Sequence, residues 1–107
     1  MIKRLKSRKK IETLFQKGYI IKESGLFFKG YDFNNGETRF GVSVSKKIFA
    51  SAVTRNLIKR RIREQIMSSG LLLAIPKGVS FFVIYSSPEI ISSKKIQEKL
   101  QTIAKKI

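Results

Sequence analysis

Hydrophobic positions along the chain change period several times, and each change marks an element. Ile11, Leu14 and Phe15 fall at helical spacing behind Ser7, a good N-cap, and Gly18 is a natural stop. Residues 26–33 alternate, so Phe27, Lys29, Tyr31 and Phe33 share one face of a strand. Asn34-Asn35-Gly36 is a turn signal between strands. Residues 38–45 set Phe40, Val42 and Val44 on one face and Gly41, Ser43 and Ser45 on the other. That second face is small and polar, and it leaves room for something to lie against it.

A helix is predicted from about Ala52 to Ser69, ending at Gly70, with Ile58, Ile62 and Ile66 at i, i+4, i+8. After the turn at Pro76–Gly78, residues 79–85 are apolar on both faces, as in a central strand. Pro88 and Ser92 lead into a last helix whose stripe is Ile96, Leu100, Ile103 and Ile107. The order is helix, strand, strand, helix, strand, helix, with room for a further short strand at residues 19–23. This is an α+β pattern, a mixed sheet with helices packed on it, in a single domain over residues 1–107.

Charge changes the picture. Lys and Arg total 23 against 7 Asp and Glu, a formal charge of +16. Such a field opposes compaction and draws the domain toward polyanions, yet the 42% hydrophobic content is enough for a core. The chain has no Cys and no His. Disulfides, thiolate or imidazole zinc sites, a His general base and a Ser-His triad are excluded. The basic N-terminus lacks the apolar segment of a secretory signal, and no apolar run approaches a membrane span. The expectation is a soluble, cytoplasmic, polyanion-binding domain with no membrane partner.

The charge is concentrated on the Ala52–Ser69 helix. Placed at about 100° per residue, the isoleucines face the core, and Asn56, Lys59, Arg60 and Arg63 fall within one arc beside them. Arg55 lies across the edge of that stripe, and Arg61 points away. A solvated helix face normally intersperses acids, but Glu64 is the only acid from Val53 to Ser69. A polyanion offsets that repulsion. Because the preceding element is a strand rather than a helix, duplex DNA is not the expected ligand. Single-stranded RNA suits the mixture better, with bases on Phe15, Phe27 and Tyr31 and cations along the backbone.

Residues 40–64, Phe-Gly-Val-Ser-Val-Ser-Lys-Lys through Arg55-Asn56, Lys59-Arg60 and Arg63-Glu64, resemble the signature of the bacterial ribonuclease P protein family. The N-terminal Arg4-Leu5-Lys6, the segment Ile11–Gly18 and the apolar strand after Gly78 are also similar to that family. The resemblance implies a mixed four-stranded sheet with about three helices in a two-layer sandwich, containing a left-handed βαβ crossover. It implies a non-catalytic protein subunit of an endoribonuclease that removes the 5′ leader of precursor tRNA. Its partners would be the ribonuclease P RNA subunit and the precursor tRNA, and Mg²⁺ would be held mainly by the RNA and the substrate. Carried over by position, Lys46, Lys47, Arg55, Asn56, Lys59, Arg60 and Arg63 bind RNA. Ile11, Phe15, Phe27, Lys29, Tyr31, Ser43 and Ser45 line the leader cleft. Three departures stand out: the family's Arg-Asn-Arg reads Arg55-Asn56-Leu57 here, Phe49-Ala50-Ser51 makes the turn after Lys47 one residue longer, and the cleft aromatic expected on the first strand aligns with Lys29, with Tyr31 two residues on along the same face as its substitute.

Hydrolysis by the protein itself would need a general base or a carboxylate cluster holding metal. Its acids, Glu12, Glu23, Asp32, Glu37, Glu64, Glu89 and Glu98, show no such spacing. No catalytic residue and no metal ligand are therefore expected. The alternative is a structural rRNA-binding ribosomal protein, of similar size and charge but with no need for a small strand face beside aromatics. A basic nuclease or toxin conflicts with the absent His. A membrane-surface helix conflicts with an isoleucine stripe committed to a core.

Overall fold

The computed structural model describes residues 3–107. Five strands, β1 (Lys3–Arg4), β2 (Tyr19–Glu23), β3 (Leu26–Asp32), β4 (Arg39–Val44) and β5 (Val79–Tyr85), form one mixed sheet in the order β1-β4-β5-β3-β2. The helices are α1 (Arg8–Lys17), α2 (Ala52–Ser68), α3 (Leu71–Ala74) and α4 (Ser93–Lys106). Helices α2, α3 and α4 cover one face, where Ile58, Ile62, Ile66, Leu71, Ile96, Leu100 and Ile103 pack on Phe28, Phe81 and Val83. Each buried isoleucine or leucine contributes roughly 1.5–3 kcal/mol. Helix α1 lies on the other face, where Leu14 packs with Leu5 and Phe82.

Local chemistry sets the helix ends. The hydroxyls of Ser7, Ser51 and Ser92 accept from the backbone N–H groups of Lys10, Thr54 and Lys95, capping α1, α2 and α4. Gly18 ends α1 by donating its N–H to the Leu14 carbonyl at 2.8 Å.

The α+β class holds, but the sheet has five strands rather than four. Residues 19–23 form β2 in a hairpin with β3, and β1 adds a two-residue parallel edge to β4. A fourth helix, the single turn α3, starts at Gly70, whose φ of 86° lies in the left-handed region that glycine occupies freely. The strands flanking Asn34–Gly36 are not partners. β5 lies between them, antiparallel to β3 and parallel to β4, because it alone is apolar on both faces and takes the centre. The parallel β4–β5 pair is joined through α2 and α3, a βαβ unit.

Candidate nucleic-acid interface

The strand registers place the side chains of the face opposite α2 and α4 in rows. Ile20, Lys29, Phe82 and Gly41 make one row across β2, β3, β5 and β4. Lys22, Phe27, Ile84 and Ser43 make the next. Helix α1 covers only part of this face: Leu14 is buried with Leu5 and Phe82, while Phe27 and Ser43 in the next row stay half-buried.

Lys29 fastens the two walls together. Its Nζ donates to the Phe15 carbonyl at 2.8 Å, satisfying one of the free carbonyls at the end of α1. The same ammonium stands 5.3 Å from the centre of the Phe15 ring, a cation–π arrangement. Phe15 meets Phe82 edge to face at 5.2 Å and keeps 36% of its surface exposed. Phe82 in turn leans over Gly41: a Cβ at that glycine would collide with three atoms of the Phe82 ring. β4 is small at Gly41 because a phenyl ring from the neighbouring strand fills that place.

The other cleft residues take mixed positions. Phe27 is half-buried on the open face, and Ser43 shares its row. Ile11 and Tyr31 pack partly against Leu5, Leu14 and Phe82, and Tyr31 meets Phe33 edge to face at 4.8 Å. Ser45 lies past the end of β4, where its hydroxyl accepts from the Lys47 N–H at 3.1 Å. It shapes the turn that carries exposed Lys46 and Lys47.

On α2, the isoleucines are buried and Asn56 and Arg60 are exposed, with Lys59 and Arg63 half-buried beside them. Arg55 has a different task. It precedes Ile58 and Ile62 by three and seven residues, so it shares their side of the helix. Its guanidinium turns back and donates to the Phe49 and Ala50 carbonyls, both at 2.8 Å. Phe49 itself packs on Tyr85. The lengthened Phe49–Ser51 turn is thus held by an aromatic anchor and an arginine clamp. Arg61 also has a fixed partner, the Ile91 carbonyl at 3.2 Å.

Arg63 projects toward the sheet edge. A groove there is lined by Arg4, Leu5, Lys6, Phe40, Gly41, Val42, Arg63 and Phe82. Burial lowers the Arg63 pKa from its ordinary value, and the nearby charge of Arg4 lowers it further. Among the described residues the ion pairs are Glu37–Arg39 and Glu23–Lys106. Phe82 is not visible as a site residue in the sequence, and Gly41 and the Arg4-Leu5-Lys6 segment stand out there without a site role. Gly41 on a polar face was the visible signal, but it says nothing about which ring covers it until β4 and β5 are paired.

The ribonuclease P family model matches residues 2–107. The ribonuclease P protein component of Streptococcus pyogenes serotype M12 (strain MGAS2096) is 35% identical over 105 residues, covering 95% of this chain and 83% of that protein. The Staphylococcus aureus RNase P protein structure superposes with a TM-score of 0.80 at 26% identity, covering 98% of this chain and 94% of that one. The Thermotoga maritima RNase P protein gives a TM-score of 0.81 at 25% identity, covering 98% and 97%.

Proposed function

The chain belongs to the ribonuclease P protein family, and from that premise we propose that its cleft holds the single-stranded 5′ leader of precursor tRNA. As a protein subunit of ribonuclease P it takes part in processing the 5′ end of tRNA. In the proposed arrangement the basic flank of α2, with Asn56, Lys59, Arg60 and Arg63, meets RNA phosphates, and Lys46 and Lys47 extend that surface.

The observation that carries this reading is that Phe82, which meets Phe15, also lines with Gly41 the groove that Arg63 of α2 enters. Phe15 and Phe27 offer ring surface to bases, whose stacking tolerates any sequence. Lys29, held by the Phe15 carbonyl, sits where a phosphate or base edge passes. On the far side of Phe82 and Gly41 the groove opens to Arg63. A single strand crossing the face keeps cations at both ends and apolar floor between them.

In this proposal the RNA subunit, with Mg²⁺, performs phosphodiester hydrolysis, and the protein supplies binding energy and charge screening. The chain has no histidine, so no imidazole base is available. Mg²⁺ supplies Lewis-acid chemistry when bound, and in this proposal the RNA and the substrate hold it. Among the described residues no group of three or more acids stands together, Glu37 is taken by Arg39 at 2.9 Å, and Asp32 accepts from the Asn34 N–H.

The test is cleavage of precursor tRNA by a bacterial ribonuclease P RNA at low Mg²⁺, with and without this protein. Stimulation by the protein, with no cleavage by the protein alone, is the expected result. Cleavage by protein alone, or no stimulation, overturns the proposed division of labour.

A further inference from the structure

Two guanidiniums from distant parts of the sequence converge at the sheet edge. Arg4 comes from β1 and Arg63 from the fourth turn of α2, and both line one groove, where burial and then the charge of Arg4 lower the Arg63 pKa. Lys6 shares the groove between them, and Lys3 and Arg39 line the one beside it. The acid in this region is Glu37, and Arg39 already holds it at 2.9 Å. Like charges gathered without a counterion cost stability, and an anion bound between them reverses the sign of that cost.

The groove has a direction as well as a charge. Its floor is Gly41 and Phe82, the same pair that continues the row from Lys29. Phe82 is only 8% exposed, too little to stack a base, so the floor suits a sugar-phosphate backbone rather than a nucleobase. β1 pairs with β4 at Arg39 and Phe40 while β4 runs on to Val44, so the groove is open along that edge.

We propose that Arg4 and Arg63 grip one phosphodiester of the leader where it leaves the aromatic cleft, with Lys6 on the rim. The inference rests on the leader-binding reading above and adds the residues that fix the strand's exit. Guanidiniums suit this task because each presents paired N–H donors to phosphate oxygens. Contact through phosphate alone carries no base preference at this position.

The test uses the protein assembled with a bacterial ribonuclease P RNA and precursor tRNAs whose leaders carry one charge-neutral methylphosphonate, moved along position by position. With wild-type protein, affinity falls roughly tenfold at one leader position. Arg4→Gln and Arg63→Gln bind the unmodified leader about tenfold more weakly and show no further loss when that phosphate is neutral. Lys6→Gln, outside the β1 ladder, shows the same pattern more weakly, and thermal melting checks that each variant folds. Equal losses on leaderless tRNA, or variants that stay sensitive at that position, overturn the clamp. If Phe15→Ala weakens leader binding while Arg4→Gln does not, the clamp fails and the cleft reading stands. If wild-type protein ignores the leader altogether, the cleft reading itself fails.

Discussion

The ring of Phe82 on β5 occupies the space where a side chain on Gly41 of β4 would stand. The two residues are register partners in the parallel pair at the centre of the sheet. The missing side chain at Gly41 is what lets the Phe82 ring take that place.

Gly41→Ala forces the Phe82 ring out of its place. The variant is expected to lose about 1–3 kcal/mol of stability. Combining it with Phe82→Leu should cost less than the sum of the two single changes, because the leucine has no ring to collide. Urea denaturation of the three variants checks this, with an unchanged slope showing that the denatured state is not the cause.

Arg55 and Arg60 look alike in sequence and differ in structure. Arg55 donates to the Phe49 and Ala50 carbonyls, whereas Arg60 is exposed. Arg55→Ala is expected to cost roughly 1–3 kcal/mol of stability. Arg60→Ala should change stability by less than about 0.5 kcal/mol and instead lower the salt dependence of RNA binding by about 0.7 in slope. Paired melting and salt-titration experiments separate the two roles.

Lys29 links α1 to the sheet through the Phe15 carbonyl. Lys29→Met keeps the aliphatic stem and removes the donor, so the C-terminal turn of α1 loses its anchor. Faster amide exchange at the end of α1, with unchanged exchange in β5, is the expected pattern.

Arg39 lowers the Glu37 carboxyl below its usual range, first through a hydrogen bond and then through its charge. A carboxylate with a lowered folded pKa adds stability above its unfolded pKa of about 4.3, and that stability disappears as pH falls through the lower folded value. Glu37→Gln should therefore melt slightly below wild type at neutral pH and low salt. The gap should close in acid and at high salt, because the pair is exposed.

Much of the fold was legible from periodicity. The isoleucine stripe of α2, the apolar β5 and the Ser7 cap are local patterns, and each lies where the pattern predicts. The two-residue β1 and the single turn α3 were not legible, because segments that short have no period to read. The placement of β5 between β3 and β4 is a long-range pairing that a local turn signal does not report. At the site, the basic arc of α2 was visible as spacing, but the fate of each cation was not. Arg55 sits at helical spacing from Ile58 and so turns into the fold, while Arg4, unremarkable in a basic N-terminus, meets Arg63 only after the sheet forms.

Proposed leader binding joins the cleft to the α2 flank. Its most direct test is the affinity of the protein, assembled with a bacterial ribonuclease P RNA, for precursor tRNA with a short 5′ leader and for the same tRNA without it, at fixed salt. Tighter binding of the leader-bearing RNA is expected, with the difference lost in Phe15→Ala, Asn56→Ala and Arg60→Ala. Equal affinity for the two RNAs with wild-type protein would contradict it.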